Sequence, residues 1–102
     1  MSKKSFDQKC YELLRQIPKG KVTTYALIAR KLRSKAYRAV GNAMNRNPNA
    51  PAVPCHRVVR SSGEIGGYAL GTAKKVEMLK QEGIPIGRGA VIDLKRYLYQ
   101  FK

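Results

Sequence analysis

The chain has 102 residues, enough for one domain with one modest core, and it sets 21 Lys and Arg against 6 Asp and Glu for a formal net charge of +15. No stretch approaches the ~20 apolar residues that span a bilayer, and the N-terminal MSKKSFDQKCYELL lacks the apolar run of a secretion signal, so a soluble, cytoplasmic protein without a membrane partner is expected. The charge favours a polyanionic partner, nucleic acid ahead of membrane, with a merely solvated basic surface as the plain alternative.

Phe6, Cys10, Leu13, Leu14 and Ile17 recur at helical spacing and predict an amphipathic helix from Ser5, ended by Pro18 and Gly20. Cys10 lies on its apolar stripe and is expected to be an inert core thiol. KVTTY reads as a short extended piece, after which Thr23 or Thr24 can cap a second helix that buries Tyr25, Ile28, Ala29 and Leu32. Ser34 can cap a third helix over 35–46, with Ala36, Val40, Ala43 and Met44 on one face and Arg38, Asn42 and Asn45 on another. Two short helices joined by so few residues predict a helix-turn-helix over about 24–46, its second helix facing DNA. Gly41 costs that helix about 1 kcal/mol against Ala. Tight packing on the second helix and close approach to a ligand explain it equally well.

NPNAPAVP is a Pro-rich loop, and CHRVVRSSGEIGGY predicts a hairpin turned by Ser-Ser-Gly. Thr72 can cap a helix running to Glu82, with Gly83 ending it. IPIGRGAVIDLKRYLYQFK suggests a strand and a short helix of no evident role. The expected architecture is one mainly helical domain, residues 1–102, with a helix-turn-helix and a small β-hairpin.

Cys55 and His56, the single histidine, stand side by side in the segment 47–59. Two distant cysteines make no disulfide framework. One His and two Cys fall short of a tetrahedral metal site, so no metal is expected. An imidazole near a thiol favours the nucleophilic thiolate. A buried Cys beside a backbone-bonded His accounts for the pair as well, and a cysteine protease fits neither the chain length nor the charge. Glu82, closing a helix where the dipole favours cations, has poor local support. That suggests another task, such as orienting the imidazole, and an exposed Glu at a frayed end is the alternative.

A resemblance narrows these readings. PCHRVV, preceded by RAVGNAMNRNP and followed by SSGEIGGY and a later Glu-Gly, resembles the C-terminal domain of O6-alkylguanine-DNA alkyltransferases from about Phe6 to Gly83. The resemblance implies a winged-helix-like domain for direct-reversal DNA repair, with Cys55 accepting an alkyl group from guanine O6 once and irreversibly. It implies a relay of Glu82, His56 and a water that deprotonates Cys55, with Asn47 linking the recognition helix to the active-site turn. Tyr25 would meet guanine N3, Arg38 would fill the place of the flipped nucleotide, and Tyr68 with the backbone near Val58 and Ala69 would wall the guanine pocket. Ala36, Ala39, Gly41 and Ala43 would slim the helix for a minor groove ~6 Å wide, and Gly41 and Ser61 would touch the DNA backbone.

The implied partner is double-stranded DNA containing O6-alkylguanine, bound by a nucleoid-associated monomer that can act cooperatively on DNA, and no cofactor is implied. The sequence departs from the family pattern in places. Ala69-Leu70 replaces Ser-Gly, so that Leu70 narrows the pocket, and Tyr37 stands where a small residue is common. The stretch from Tyr25 to Arg38 is one residue shorter, and the family's usual N-terminal domain has no counterpart. Alkyltransferase-like proteins, which bind such lesions without transfer, resemble the chain too, but they replace the reactive cysteine that is present here as Cys55.

Overall fold

The computed structural model describes residues 5–47, 52–68 and 70–101. Helix α1 (Phe6–Leu14) starts with a reciprocal cap. The Gln8 amide donates to Ser5 Oγ (3.1 Å), and the Ser5 amide donates back to Gln8 Oε1 (3.0 Å), which satisfies two N-terminal donors at once. The helix buries Cys10, Leu13 and Leu14, and the Tyr11 hydroxyl donates to the Ala43 carbonyl (2.8 Å), which fixes it against the third helix. Replacing Leu14, which has no exposed surface, by Ala would cost about 2–5 kcal/mol.

Strand β1 (Thr23–Thr24) leads directly into α2 (Tyr25–Lys31), because Thr24 caps it by accepting from the Leu27 amide (3.1 Å). Ile28 and Ala29 face the core, while Tyr25 and Leu32 are half-buried. Arg33 takes a left-handed turn conformation (φ 56°), and Ser34 Oγ accepts from the Ala36 amide (3.0 Å). Ser34 therefore caps the turn and not the helix, and α3 (Tyr37–Asn45) begins two residues later than the sequence suggests, with Ala36 as an exposed N-cap. Val40, Ala43 and Met44 are its buried stripe.

A single 3₁₀ turn (Cys55–Arg57) precedes β2 (Val58–Val59), which pairs in parallel with β1 through Thr23–Val58 and Thr24–Val59. This corrects the hairpin expected over 55–68. Ser61, Ser62 and Gly63 do turn the chain, with the Gly63 amide on the Arg60 carbonyl (2.8 Å). Beyond the turn, however, Glu64 bridges to Ala90 and the Ile65 amide donates to the Gly89 carbonyl (3.0 Å). The arms meet only at the base of the turn, where the Arg60 amide donates to the Glu64 carbonyl (2.9 Å), and the returning arm then pairs with the tail. Helix α4 (Thr72–Gln81) has Gly71 as its N-cap, with no bond from Thr72, and ends on Glu82 and Gly83.

Among the described residues, the antiparallel hairpin is β3 (Ile86–Gly87) with β4 (Ala90–Val91), followed by α5 (Leu94–Tyr97). The tail also lies along the N-terminal side of β1. The Val22 amide donates to the Tyr97 carbonyl (2.9 Å), and the Tyr99 amide donates to the Val22 carbonyl (2.6 Å). One buried cluster joins α1, α2 and α3 to the Cys55 turn, and a second, around Val22, Val59, Ile65, Leu79, Ile84 and Val91, seats α4 and the hairpin. No helix among the described residues is long and apolar enough to cross a membrane.

Candidate active site

Pro54 presets the chain for the 3₁₀ turn, which the Arg57 amide closes on the Pro54 carbonyl (3.0 Å). The Asn47 amide group, just past α3, donates to the Val53 carbonyl (2.8 Å) and ties the helix end to this turn. Cys55 is 2% exposed. Burial pushes its thiol pKa up, while a hydrogen bond from the Asn47 side chain, the charge of Lys75 and a backbone hydrogen bond pull the other way.

His56, 1% exposed, lies 2.9 Å through Nε2 from Glu82 Oε2. Burial lowers the imidazole pKa against the opposing pull of Glu82, so the ring is neutral at pH 7. A carboxylate can only accept, which places the proton on Nε2 and leaves Nδ1 as a lone pair. Nδ1 is buried and has no hydrogen-bond partner among the described residues.

Glu82 closes α4 where the helix dipole opposes it, and Arg57 compensates. The guanidinium grips the carboxylate with two parallel bonds, Nε to Oε1 (2.9 Å) and Nη2 to Oε2 (2.8 Å), and its Nη1 donates to the Ile17 carbonyl (2.8 Å). Burial alone would raise the Glu82 carboxyl pKa, but the Arg57 and His56 bonds together hold it below the ordinary carboxylate range.

Lys75 is 0% exposed and donates from Nζ to the carbonyls of Val58 (2.6 Å) and Gly67 (3.1 Å), with the Tyr25 ring 5.8 Å away. Burial lowers its pKa to about 8, against the pull of the Cys55 charge. Arg57 and Lys75 have no role in the sequence reading. Lys75 was nonetheless detectable, because it shares a helical stripe with Leu79 and Glu82, where a solvated lysine does not belong.

Tyr25 and Tyr68 complete the surroundings, and burial raises both phenol pKa values, so both hydroxyls stay protonated. Tyr68 meets the His56 ring edge-on (centroids 6.3 Å apart) and directs its hydroxyl to Met78 Sδ (3.6 Å). Gly66, at φ 75°, passes so close to Tyr25 that a Cβ would lie 3.1 Å from its hydroxyl. Val58 is buried, and Ala69 lies outside the described residues.

On α3, Ala36 and Arg38 are exposed, and Ala39 and Gly41 are half-buried. Ala43 is fully buried against α1, so it belongs to the core and not to an exposed slim face. A Cβ on Gly41 would meet nothing within 4 Å, so packing on α2 does not explain that glycine. Instead Gly41 borders a cavity of about 350 Å³ with Tyr25, Tyr37, Arg38, Asn45 and Arg60. The exposed Ser61 borders a second cavity of about 370 Å³ with Tyr25, Ala26, Tyr37 and Arg60. Among the described residues, no three His, Cys, Asp or Glu side chains gather as metal ligands.

This arrangement has known counterparts. Residues 5–84 match the family model "6-O-methylguanine DNA methyltransferase, DNA binding domain". A bifunctional methyltransferase/endonuclease of Picrophilus torridus is 47% identical over 90 residues, 87% of this chain and 30% of that protein. A methylated-DNA–protein-cysteine methyltransferase of Methanosarcina mazei is 47% identical over 78 residues, 76% of this chain and 49% of that one. The chain thus spans about half or less of these curated relatives.

Among solved structures it is similar to S. pombe Atl1 in complex with damaged DNA containing O6-carboxymethylguanine, with a TM-score of 0.83 at 32% identity, covering 98% of this chain and 99% of that one. It is also similar to Mycobacterium tuberculosis OGT in complex with DNA, with a TM-score of 0.74 at 39% identity, covering 79% and 51%. The chain belongs to the O6-methylguanine-DNA methyltransferase family.

Proposed function

We propose that the protein binds double-stranded DNA containing O6-alkylguanine and transfers the alkyl group to Cys55, one lesion per molecule. The observation that carries this reading is the buried Cys55–His56–Glu82 arrangement, in which an anchored, neutral imidazole keeps a lone pair free beside a nucleophilic residue. The Cys55 thiol gives its proton through a bridging water to His56 Nδ1, and Glu82 stabilises the imidazolium. The thiolate sulfur then attacks the alkyl carbon in line. The S–C bond forms as the C–O6 bond breaks, and the electron pair leaves on the guanine, which takes up a proton.

Tyr25, protonated and beside Lys75, supplies a hydroxyl donor to the departing purine at N3. A thioether has no easy leaving group, so the protein is spent. Tyr68, the Val58 backbone and Ala69 would wall the base pocket. Arg38 on α3 would fill the vacated stack, at a cost of a few kcal/mol for extrusion. Ala36, Ala39 and Gly41 would keep the helix face slim in the minor groove, and Ser61 would contact the backbone. The net charge of +15 suits that partner, and its attraction to phosphate carries no sequence preference.

A second reading, lesion binding without transfer, is favoured by one specific observation: the match to Atl1 runs the full length of both chains. Incubation with an O6-methylguanine duplex followed by intact-mass and peptide analysis separates the two. Transfer adds one methyl to Cys55 and saturates at one equivalent. Tight binding with an unchanged mass assigns the chain to the lesion-binding reading.

A further inference from the structure

The repair reading leaves Tyr37 unused, although its environment is unusual. It is the first residue of α3, it is 53% exposed, and it stands between the exposed Ala36 and Arg38. Single exposed apolar residues are ordinary on protein surfaces. Tyr37, however, borders both cavities beside the active site, and in both it is joined by Tyr25 and Arg60. Gly41 and Gly67 line the first of these, and a Cβ on either would meet nothing within 4 Å, so open space stands over both. An aromatic face, flanking guanidinium groups and a roomy glycine-lined hollow suit a ligand that is flat, π-faced and anionic at its edge. A nucleotide has that chemistry.

We propose that Tyr37 is a stacking residue for the extruded nucleotide, receiving its base at the mouth of the pocket between the duplex and Cys55. This rests on the repair reading and extends it. Arg38, one residue along α3 and the finger of the repair reading, borders the same cavity, and so does Tyr25, which lies near enough to Cys55 to feel its charge. A base leaving the helix loses the stacking of its neighbours, and an aromatic ring placed midway returns part of it. The extruded state is then populated before the pocket closes on the base. The phenol hydroxyl is not required, since the ring face makes the contact.

The test is stopped-flow fluorescence on a duplex carrying 2-aminopurine beside O6-methylguanine, whose signal rises on unstacking, with wild type, Tyr37→Ala and Tyr37→Phe. Tyr37→Ala is expected to weaken lesion-duplex binding and slow the rise by roughly five- to thirty-fold, the lower part of the range for one base–aromatic stack, as suits a half-exposed ring. Tyr37→Phe stays within about two-fold of wild type on that scale. The Tyr37→Ala loss on duplex should also exceed its loss on free O6-benzylguanine, which needs no extrusion. Thermal midpoints check that these exposed-site variants remain folded. A Tyr37→Ala protein that extrudes at the wild-type rate or faster overturns the inference, as do equal losses in Tyr37→Ala and Tyr37→Phe. If wild type itself ignores the lesion duplex, the repair reading falls, and this inference with it.

Discussion

The two cysteines are a controlled comparison within one molecule. Cys10 on α1 and Cys55 at the 3₁₀ turn belong to the same buried cluster, and neither exposes more than a trace of surface. Around Cys10, burial and, to a lesser extent, the nearby Asp7 charge together push the pKa up to about 11. Around Cys55, burial acts in the same direction, but Asn47, the Lys75 charge and a backbone hydrogen bond oppose it. Two thiols of similar burial thus differ because the fold aims donors and a cation at one sulfur and an anion at the other. Cys55 is also followed in the chain by His56, whose buried Nδ1 has no hydrogen-bond partner among the described residues, whereas no histidine neighbours Cys10 in the chain.

The largest effect on this contrast should come from Glu82→Gln. It leaves the Arg57 guanidinium without its anion and removes the charge that would stabilise an imidazolium at His56. Breaking such a pair from one side costs about 3 kcal/mol, read as a lower midpoint in urea. Under the proposed reading, transfer to Cys55 should slow on the order of 10²-fold, the scale of general-base assistance. Wild-type transfer rates in this variant would remove the Glu82 charge from the reaction.

The acid limb of wild-type stability belongs to the same prediction. Glu82 is held below its ordinary value, so its contribution is complete above the unfolded value near 4.5 and is lost as pH falls through the folded one. His56 is also held low. The unfolded chain therefore binds a proton near 6.5 that the folded chain resists, and stability begins to decline from there.

Next in size is Lys75→Met, which keeps the aliphatic stem and removes the charge. With its pKa lowered to about 8, Lys75 is mostly charged at pH 7.5, where it favours the Cys55 thiolate. Iodoacetamide labelling of Cys55 at that pH should slow roughly three- to ten-fold, and its pH profile should move to the alkaline side. Cys10 labelling should not follow. Between pH 8 and 10.5 the unfolded wild-type chain holds a proton that the folded one has lost, so wild-type stability rises through this window, and the Lys75→Met protein should lack the rise. A Cys55 profile that does not move would mean that Asn47 and the backbone alone sustain the thiolate.

Much of this contrast was legible in the sequence because it rests on periodicity and caps. The α1 stripe from Phe6 to Leu14 placed Cys10 in the core, and Thr24 opened α2 as its hydroxyl demands. The helical character and the helix-turn-helix followed from such local signals. The pairing of β2 with β1 did not, because a two-residue parallel contact between segments far apart in sequence leaves no local trace, whereas Ser-Ser-Gly advertises a hairpin. Ala43 was ambiguous for a related reason, since a small residue suits a groove-facing helix and a helix–helix contact alike. The contact of His56 with Glu82 in the candidate site was anticipated, through the family resemblance and not through residue type alone. The site was not legible where a residue matters through what it is buried against. Arg57 looked like one more charge among 21, the stripe that Lys75 shares with Leu79 and Glu82 signals burial without naming a partner, and only the fold sets the two beside Glu82 and Cys55.

The smallest effect is expected on the silent side of the comparison, from Asp7→Asn. Asp7 pairs with Arg46 through two bonds of 2.9 and 2.8 Å at the surface, where solvent screens the attraction, so the thermal midpoint should move by no more than about 2 °C. The substitution removes the anion that raises the Cys10 thiol pKa, but that charge is the lesser cause, and burial is the greater. Cys10 should therefore remain unlabelled by iodoacetamide in the folded protein, while Cys55 in the same sample reacts as before. Peptide masses after timed quenching read both sites at once. If Cys10 in Asp7→Asn becomes as reactive as Cys55, then one nearby charge, and not burial, was silencing it. The contrast would then shrink to the sign of the nearest charge, Asp7 beside one sulfur and Lys75 beside the other.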